Sequence, residues 1–188
     1  PNDATPRELL LRLHLRDGKL SDSLVQARAL AEGHAAGIEE GLRAVALLMR
    51  QETSRTDAAL VVMNQLIAPH EQLPGAHYAM GLLALGAGQS DMALTAAEKA
   101  LQLDPASDEA ALLMASALIK LNRLQAADEQ MQDLLAASAD PLALRMGYAK
   151  LLLDAEANDA AAVQLRQVIS AAPDNEDARY ALGVLELK

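Results

Sequence analysis

The sequence of 188 residues contains no cysteine, no phenylalanine and no tryptophan, and aromatic residues make up only 2% of it. The absence of cysteine excludes disulfides, thiol chemistry and zinc sites that need thiolates. Hydrophobic residues nevertheless account for 52% of the chain. A core without large rings, built from alanine, leucine, valine and methionine, favours thin and closely packed helix pairs over a compact globule.

Long apolar runs are also missing, and the charge is uneven. No run reaches the length of about 18 residues that a membrane-spanning helix needs. Residues 1–60 carry 8 Lys/Arg against 9 Asp/Glu, whereas residues 61–188 carry 8 against 17. Because an acidic surface repels phosphate backbones and anionic lipid headgroups, we expect a protein or peptide partner, no nucleic acid and no direct membrane insertion.

Small residues recur at a fixed interval of 34 residues. The first column comprises Gly81, Ala115, Ala149 and Gly183, and the second comprises Ala93, Ala127 and Ala161. A period this strict identifies a repeat architecture, in which each unit is one supersecondary element stacked on its neighbours. The columns are separated by 12 residues, which leaves room for a helix end, a turn and the start of a second helix. The sequence therefore predicts an all-α chain of antiparallel helix hairpins.

The period divides the chain into six segments. These are a degenerate N-terminal hairpin (1–37), a divergent repeat (38–73), three regular repeats (74–107, 108–141 and 142–175) and the first helix of a further repeat (176–188). In the divergent repeat, Leu47 stands where later repeats have a small residue. The chain begins without Met and stops halfway through a hairpin, so we expect a piece of a longer array.

The N-terminal segment has its own helix signal. Thr5, Pro6 and Glu8 have the spacing of a capping box with proline at the first helical position. The alternation of leucines over residues 9–15 is also typical of a strand. An edge strand would have no partner in an all-helical chain, so we predict a helix to about Arg16 and a turn at Asp17 and Gly18.

One family resemblance emerges from these columns, strongest over residues 74–188. Its residues are Gly81, Leu82, Gly88, Ala93, Ala97, Ala100, Leu101 and Pro105, which fall in the order and spacing of the tetratricopeptide repeat (TPR) family. The resemblance implies a right-handed superhelical solenoid that serves protein–protein interaction without enzymatic activity. The chain departs from the family where an aromatic residue usually begins the first helix, since His77, Ala111 and Arg145 stand there.

No constellation of residues indicates catalysis, a metal or a cofactor. The four histidines, at 14, 34, 70 and 77, include no pair spaced for two ligands on one helix face. The Gly86-Ala87-Gly88 segment lacks the Lys-Ser/Thr that grips phosphate and follows a helix rather than a strand. The carboxylates fall at helix starts or on polar faces, where they complement helix dipoles. We expect no enzyme in this segment.

The inner face of the first helices is the predicted binding site. Residues one turn apart on each first helix, on the side away from its partner, point into a groove. The predicted groove residues are Tyr78, Leu82, Leu85, Leu112, Ser116, Ile119, Met146, Lys150, Leu153 and Tyr180. Some of them have an alternative role in packing between adjacent repeats. TPR domains that clamp a C-terminal carboxylate use Lys, Asn and Arg in these columns, and Lys150 alone cannot form that clamp.

These observations favour an adaptor that binds an apolar or amphipathic peptide segment. The sequence also resembles long TPR lipoproteins of the Gram-negative envelope, including the kind that delivers substrates to a periplasmic processing protease. That resemblance implies a bacterial protein of the periplasm or outer membrane, with the cytoplasm as the alternative. Two other functions stay open. One is a regulatory TPR region of a larger enzyme, and the other is an assembly element that self-associates through its exposed C-terminal helix.

Overall fold

The computed structural model describes residues 5–52 and 55–187. Over these residues the chain forms eleven α-helices and a 3-10 turn at Ala68–His70, without a strand. The helices are α1 (Pro6–Arg16), α2 (Leu20–Glu32), α3 (Ile38–Met49), α4 (Thr56–Ile67), α5 (Pro74–Gly86), α6 (Ser90–Leu103), α7 (Asp108–Lys120), α8 (Leu124–Ala137), α9 (Pro141–Asp154), α10 (Asn158–Ala171) and α11 (Glu176–Glu186). The all-α prediction is confirmed.

The helices belong to two compact units. The first unit (Pro1–Asp104) contains α1–α6, and the second (Pro105–Lys188) contains α7–α11. In the first unit α1 packs on α2, α5 packs on α6, and α3 also contacts α5. In the second, α7 packs on α8, α9 packs on α10, α7 also contacts α9, and α11 lies against α10. Each unit therefore contains stacked helix pairs, and in each unit one pair of successive first helices, α3 with α5 and α7 with α9, are neighbours.

The first helices of four hairpins end in the same turn. After α1, Gly18 has φ of 72° and the Lys19 N–H donates to the His14 carbonyl at 2.8 Å. The other three turns follow the repeat period. Gly88, Asn122 and Glu156 follow α5, α7 and α9 at intervals of 34 residues and have φ of 76°, 58° and 57°. In each turn the next N–H donates to a carbonyl five residues earlier: Gln89 to Ala84, Arg123 to Leu118 and Ala157 to Leu152, all at 2.9 Å. This bond satisfies a carbonyl that the helix end would leave open. The repeat period thus extends to the backbone of the turns.

The predicted cap of α1 is confirmed. Thr5 Oγ1 accepts a hydrogen bond from the Glu8 N–H at 3.3 Å, and the Thr5 N–H donates to Glu8 Oε2 at 2.6 Å. Pro6 occupies the first turn. The leucine run is helical, because Leu11 and Leu15 are fully buried one turn apart.

The small-residue columns form the core of the regular repeats. Gly81 is buried, and the columns' five alanines are completely buried: Ala93, Ala115, Ala127, Ala149 and Ala161. Gly183, by contrast, is exposed, and a Cβ added there would meet no atom within 4 Å.

The divergent repeat is out of phase with this column. Leu47 is 41% exposed, whereas the preceding residue, Ala46, is fully buried. The reason is that α3 begins at Ile38 and α5 at Pro74, 36 residues later, so the period of 34 does not hold across this pair. A close approach of helices occurs instead at Gly41, where an added Cβ would lie 2.1 Å from the Ala31 carbonyl oxygen.

Candidate functional site

In the first unit, the predicted groove residues lie on α5. Tyr78, Leu82 and Leu85 are all half-buried. The guanidinium carbon of Arg43, on α3, lies 5.5 Å from the centroid of the Tyr78 ring, within the range of a cation–π contact. Tyr78 therefore contributes to the contact between α3 and α5 and is not a free groove side chain.

In the second unit, the predicted residues lie on three successive first helices. Leu112, Ser116 and Ile119 are on α7, Met146, Lys150 and Leu153 are on α9, and Tyr180 is on α11. Lys150 and Tyr180 are exposed, whereas the other five are half-buried.

Two of these side chains take part in packing between neighbouring helices. Leu112 covers Gly147, where an added Cβ would lie 2.8 Å from Leu112 Cδ1. Met146 packs against a core cluster that includes Ala149, Leu165 and Ala178. Both residues therefore contribute to the contact of one helix pair with the next. Packing between adjacent repeats is the alternative role that the sequence analysis gave for some groove residues.

A cleft of about 370 Å³ lies at the carboxyl-terminal ends of α7 and α9. Its lining residues are Ser116, Ile119, Lys120, Asn122, Leu151, Asp154 and Ala155. The structure thus brings the predicted Ser116 and Ile119 together with Leu151 and Asp154, which the sequence did not single out. Lys150 and Leu153, the predicted residues next to these two, do not line it.

This cleft at the ends of α7 and α9, called the inner cleft below, combines apolar and polar groups. Ile119, Leu151 and Ala155 provide apolar walls, and the polar groups are the hydroxyl of Ser116, the amide of Asn122 and the charged ends of Lys120 and Asp154. Apolar walls can bind a ligand by shape, and polar groups beside them can orient it by hydrogen bonds. In the part of the chain that the structure describes, no group of three His, Asp or Glu residues could hold a metal ion. Within the same residues, no helix combines the length and apolar character needed to cross a membrane.

A second cleft, of about 310 Å³, opens between α8, α9 and α10. Arg145, at the position where the TPR pattern was broken, lines it and donates through Nη1 to Gln164 Oε1 at 2.8 Å and to Gln167 Oε1. The equivalent residue of the preceding repeat, Ala111, is buried and lines neither cleft. The departure from the family pattern therefore gives this repeat a polar link between α9 and α10.

One buried polar pair, Tyr148 and Asp128, was not predicted from the sequence. Tyr148 is completely buried, and its hydroxyl donates to Asp128 Oδ1 at 2.5 Å. Burial raises the pKa of Tyr148 well above its ordinary value, and the hydrogen bond and negative charge of Asp128 raise it further. Met80 and Met114 occupy the same register position in earlier repeats. The sequence did indicate such a pair, because Tyr148 stands in a column that holds methionine in the two earlier repeats and a buried hydroxyl needs a hydrogen-bond partner. The pair ties α9 to α8.

Comparisons with known proteins agree with this architecture. The family model for the tetratricopeptide repeat matches residues 84–151. A TPR protein of Thermus thermophilus superposes with a TM-score of 0.61 at 20% identity, covering 97% of this chain and 100% of that one. A TPR protein of Parabacteroides merdae gives a TM-score of 0.54 at 16% identity, covering 96% of this chain and 70% of the other. No curated protein sequence matches at a significant level. At these identities the solved structures show the fold alone.

Proposed function

We propose that this chain of tetratricopeptide repeats is a non-enzymatic scaffold whose second unit binds a basic, amphipathic peptide segment. The observation that carries the proposal is the cleft at the ends of α7 and α9. Its volume of about 370 Å³ can admit apolar side chains of a bound peptide, and the Ser116 hydroxyl and Asn122 amide offer hydrogen bonds to the peptide backbone.

Charge supports a basic partner. Residues 61–188 carry 17 acidic against 8 basic residues. Asp154 lines the inner cleft, and the carboxyl-terminal ends of α7 and α9 add the partial negative charge of their helix dipoles. An acidic surface accelerates the approach of a cationic segment and repels an anionic one. Lys120 is the basic group of the lining, and it provides one site for an acidic or carbonyl group of the same peptide.

The resemblance of the repeats to envelope proteins also favours a cellular compartment. We propose that the protein acts in the periplasm of a Gram-negative bacterium, where it presents its partner to a protease or an assembly complex. The support is the resemblance of its repeats to envelope TPR lipoproteins. Fractionation of cells that express the full-length protein at native level tests this, because recovery in the cytoplasmic fraction would contradict it.

The binding test uses two synthetic probes, a leucine–lysine amphipathic peptide and its leucine–glutamate counterpart. We expect fluorescence anisotropy to show binding of the lysine peptide, with affinity that falls as salt is raised, and much weaker binding of the glutamate peptide. Ser116→Trp should fill the inner cleft and weaken binding about tenfold or more, equivalent to about 1.4 kcal/mol.

The control variant is Gln130→Trp, at an exposed position of α8 outside the inner cleft. It introduces the same side chain and should leave affinity unchanged. Ser116 is preferred to Leu112 or Met146 because those two residues pack between helices, so charging them would also disturb the fold. Equal binding of the two peptides, equal effects of the two tryptophans, or no binding by the unaltered protein would each overturn the proposal.

A further inference from the structure

We propose that a second copy of this chain docks head to tail, with the outward face of α1 in one copy seated on the outward face of α11 in the next. This self-association is independent of the proposed peptide site. It uses helices at opposite ends of the sequence, one from each unit, and it assigns Tyr180 to a contact between copies.

Helix α11 has two apolar faces. One face packs on its own unit, where Ala178 is buried and Leu182 and Leu185 lie against the core cluster. The opposite face carries the exposed Tyr180 and Val184, and Leu187 continues it at the C-cap; Tyr180 and Leu187 are 77% and 89% exposed. These three residues follow the i, i+4, i+7 spacing of a single helical stripe.

The outward face of α11 also permits close approach. Gly183 lies beside the stripe, and a Cβ placed there would have no atom within 4 Å. A neighbouring helix can therefore come close to the backbone at this point, with Tyr180 and Leu187 on either side. An exposed apolar strip of this kind usually marks an interaction site.

Helix α1 presents a matching strip. Leu11 and Leu15 are buried within the first unit, whereas Leu9 and Leu13, also one turn apart, are exposed on the opposite face. Leu9 is 57% exposed, and the exposed Leu10 lies beside it. Both helices therefore bury one apolar face in their own unit and leave a second apolar face open.

Charge selects which strips pair. The three arginines of α1, at positions 7, 12 and 16, outnumber its one acidic residue, Glu8. The three acidic residues of α11, at 176, 177 and 186, outnumber its one basic residue, Arg179. Contact between two α1 helices or two α11 helices would bring like charges together, whereas α1 against α11 brings opposite charges together. Burial of apolar area drives the association. The charges determine that it is heterologous, with α1 of one copy against α11 of the next.

Two of the three arginines of α1, Arg7 and Arg12, are available for this contact, whereas Arg16 is already paired with Asp17 at 3.9 Å. Arg12 donates to Gln51 Oε1 at 2.5 Å, and Arg7 donates to Gln26 Oε1 at 3.5 Å. Glutamine is neutral, so these hydrogen bonds orient the guanidinium groups without cancelling their charge. On α11, Glu186 is paired with Arg166 at 3.3 Å, which leaves Glu176 and Asp177, in the first turn, as the acidic groups that α1 would meet.

A heterologous contact does not stop at a dimer. Each bound copy still offers one free α1 and one free α11, so the assembly grows with concentration unless the rotation between copies closes a ring. The contact should weaken as salt rises, because screening removes the charge attraction between the helices.

The experiment uses two end-blocked variants and sedimentation velocity over a concentration series. Leu9→Gln/Leu13→Gln blocks α1, and Val184→Gln/Leu187→Gln blocks α11, with a neutral side chain that helices accept well. All four positions are exposed, so far-UV circular dichroism should show unchanged helicity. We expect the unaltered protein to grow beyond the dimer and each variant alone to stay monomeric.

The decisive sample is the equimolar mixture of the two variants. One variant supplies an intact α11 and the other an intact α1, so the mixture should form a dimer and stop there. Self-association of either variant alone, a mixture that stays monomeric, or an unaltered protein that is monomeric at every concentration would overturn the proposal. Ser116→Trp should associate like the unaltered protein, which separates a failure of this inference from a failure of the peptide site.

Discussion

The two units of this chain form the same turn with different residues. After α5 in the first unit the left-handed position is Gly88, whereas after α7 and α9 in the second unit it is Asn122 and Glu156. The closing hydrogen bond is 2.9 Å long in all three turns. Since glutamate rarely adopts this conformation, packing of the hairpin and the hydrogen bond must hold the backbone there. Gly88 in the first unit and Asn122 in the second suit this conformation, whereas Glu156 adopts it against its local preference.

The units also fill one core position differently. Met80 in the first unit and Tyr148 in the second occupy the same register position, and both are buried. Methionine fills irregular space without a polar atom that needs a partner. Tyrosine brings a hydroxyl into the core and needs Asp128 to accept its hydrogen bond. One repeat of the second unit therefore depends on a specific hydrogen-bonded pair, whereas Met80 in the first unit and Met114 in the second depend on fit alone.

The largest effect is expected at Gly41, where α3 lies close to α2 in the first unit. Gly41→Ala would place a methyl group 2.1 Å from a backbone oxygen of Ala31, and backbone cannot move aside as a side chain can. We expect a loss of about 3 kcal/mol in the free energy of unfolding, measured by urea denaturation.

The control for this substitution lies in the second unit. Gly183→Ala introduces the same methyl group into open space on α11. At a concentration low enough to keep the protein monomeric, it should stabilise the chain by about 0.5–1 kcal/mol, because alanine favours a helix more than glycine does. Equal changes for the two variants would show that the α2–α3 contact at Gly41 does not constrain the fold.

Gly41 and Gly183 show that the 34-residue period predicts where small residues recur but not which of them lie at a close contact between helices. Gly183 extends the 34-residue column, but its neighbours in space decide whether a small residue is needed. Gly41 lies outside that column, and its tight contact with Ala31 depends on how α2 and α3 meet. Periodicity predicted the helix pairs and buried columns. It failed at Leu47, where the spacing of α3 and α5 differs by two residues from the repeat.

The candidate site shows the same limit. The register placed Ser116 and Ile119 on the face that lines the inner cleft, because both follow from helical spacing on α7. On α9 the groove that it predicts contains Lys150 and Leu153, which stays a prediction, whereas Leu151 and Asp154 line the inner cleft. The side that α9 presents to α7 depends on its rotation against that helix, and contacts such as that of Leu112 with Gly147 set this rotation. Spacing along one helix carries no information about it.

An intermediate effect is expected from Tyr148→Phe, which removes the specific pair of the second unit. The variant loses one buried hydrogen bond and leaves Asp128 without its donor, so we expect a loss of about 1–1.5 kcal/mol at neutral pH. Tyr180→Phe deletes the same hydroxyl at an exposed position and should change the free energy of unfolding by much less. Urea denaturation of both variants checks this difference.

The pH dependence of the same variant gives a second test. Because the pKa of Tyr148 is raised in the folded protein, its stabilising contribution is complete below the unfolded value of about 10 and is lost as pH rises beyond it. The unaltered protein should therefore lose stability above about pH 10 more steeply than Tyr148→Phe. Parallel stability curves for the two proteins in alkaline solution would contradict a buried, protonated Tyr148.

The smallest effect, and the most direct test of the turn comparison, is expected from residue exchange at the left-handed positions. A non-glycine residue in this conformation costs about 1–2 kcal/mol, and glycine costs about 0.5–1 kcal/mol in chain entropy, so Glu156→Gly should stabilise the second unit by about 0.5 kcal/mol. Asn122→Gly should gain less, because asparagine tolerates the conformation better than glutamate. In the first unit, Gly88→Ala should lose stability although a Cβ there meets nothing within 4 Å, since the cost lies in the backbone alone. Thermal unfolding of the three variants measures this order.

A gain from Asn122→Gly larger than that from Glu156→Gly would mean that the side chain of Glu156 compensates its backbone strain. The second unit would then hold this turn by side-chain contacts rather than by hairpin packing.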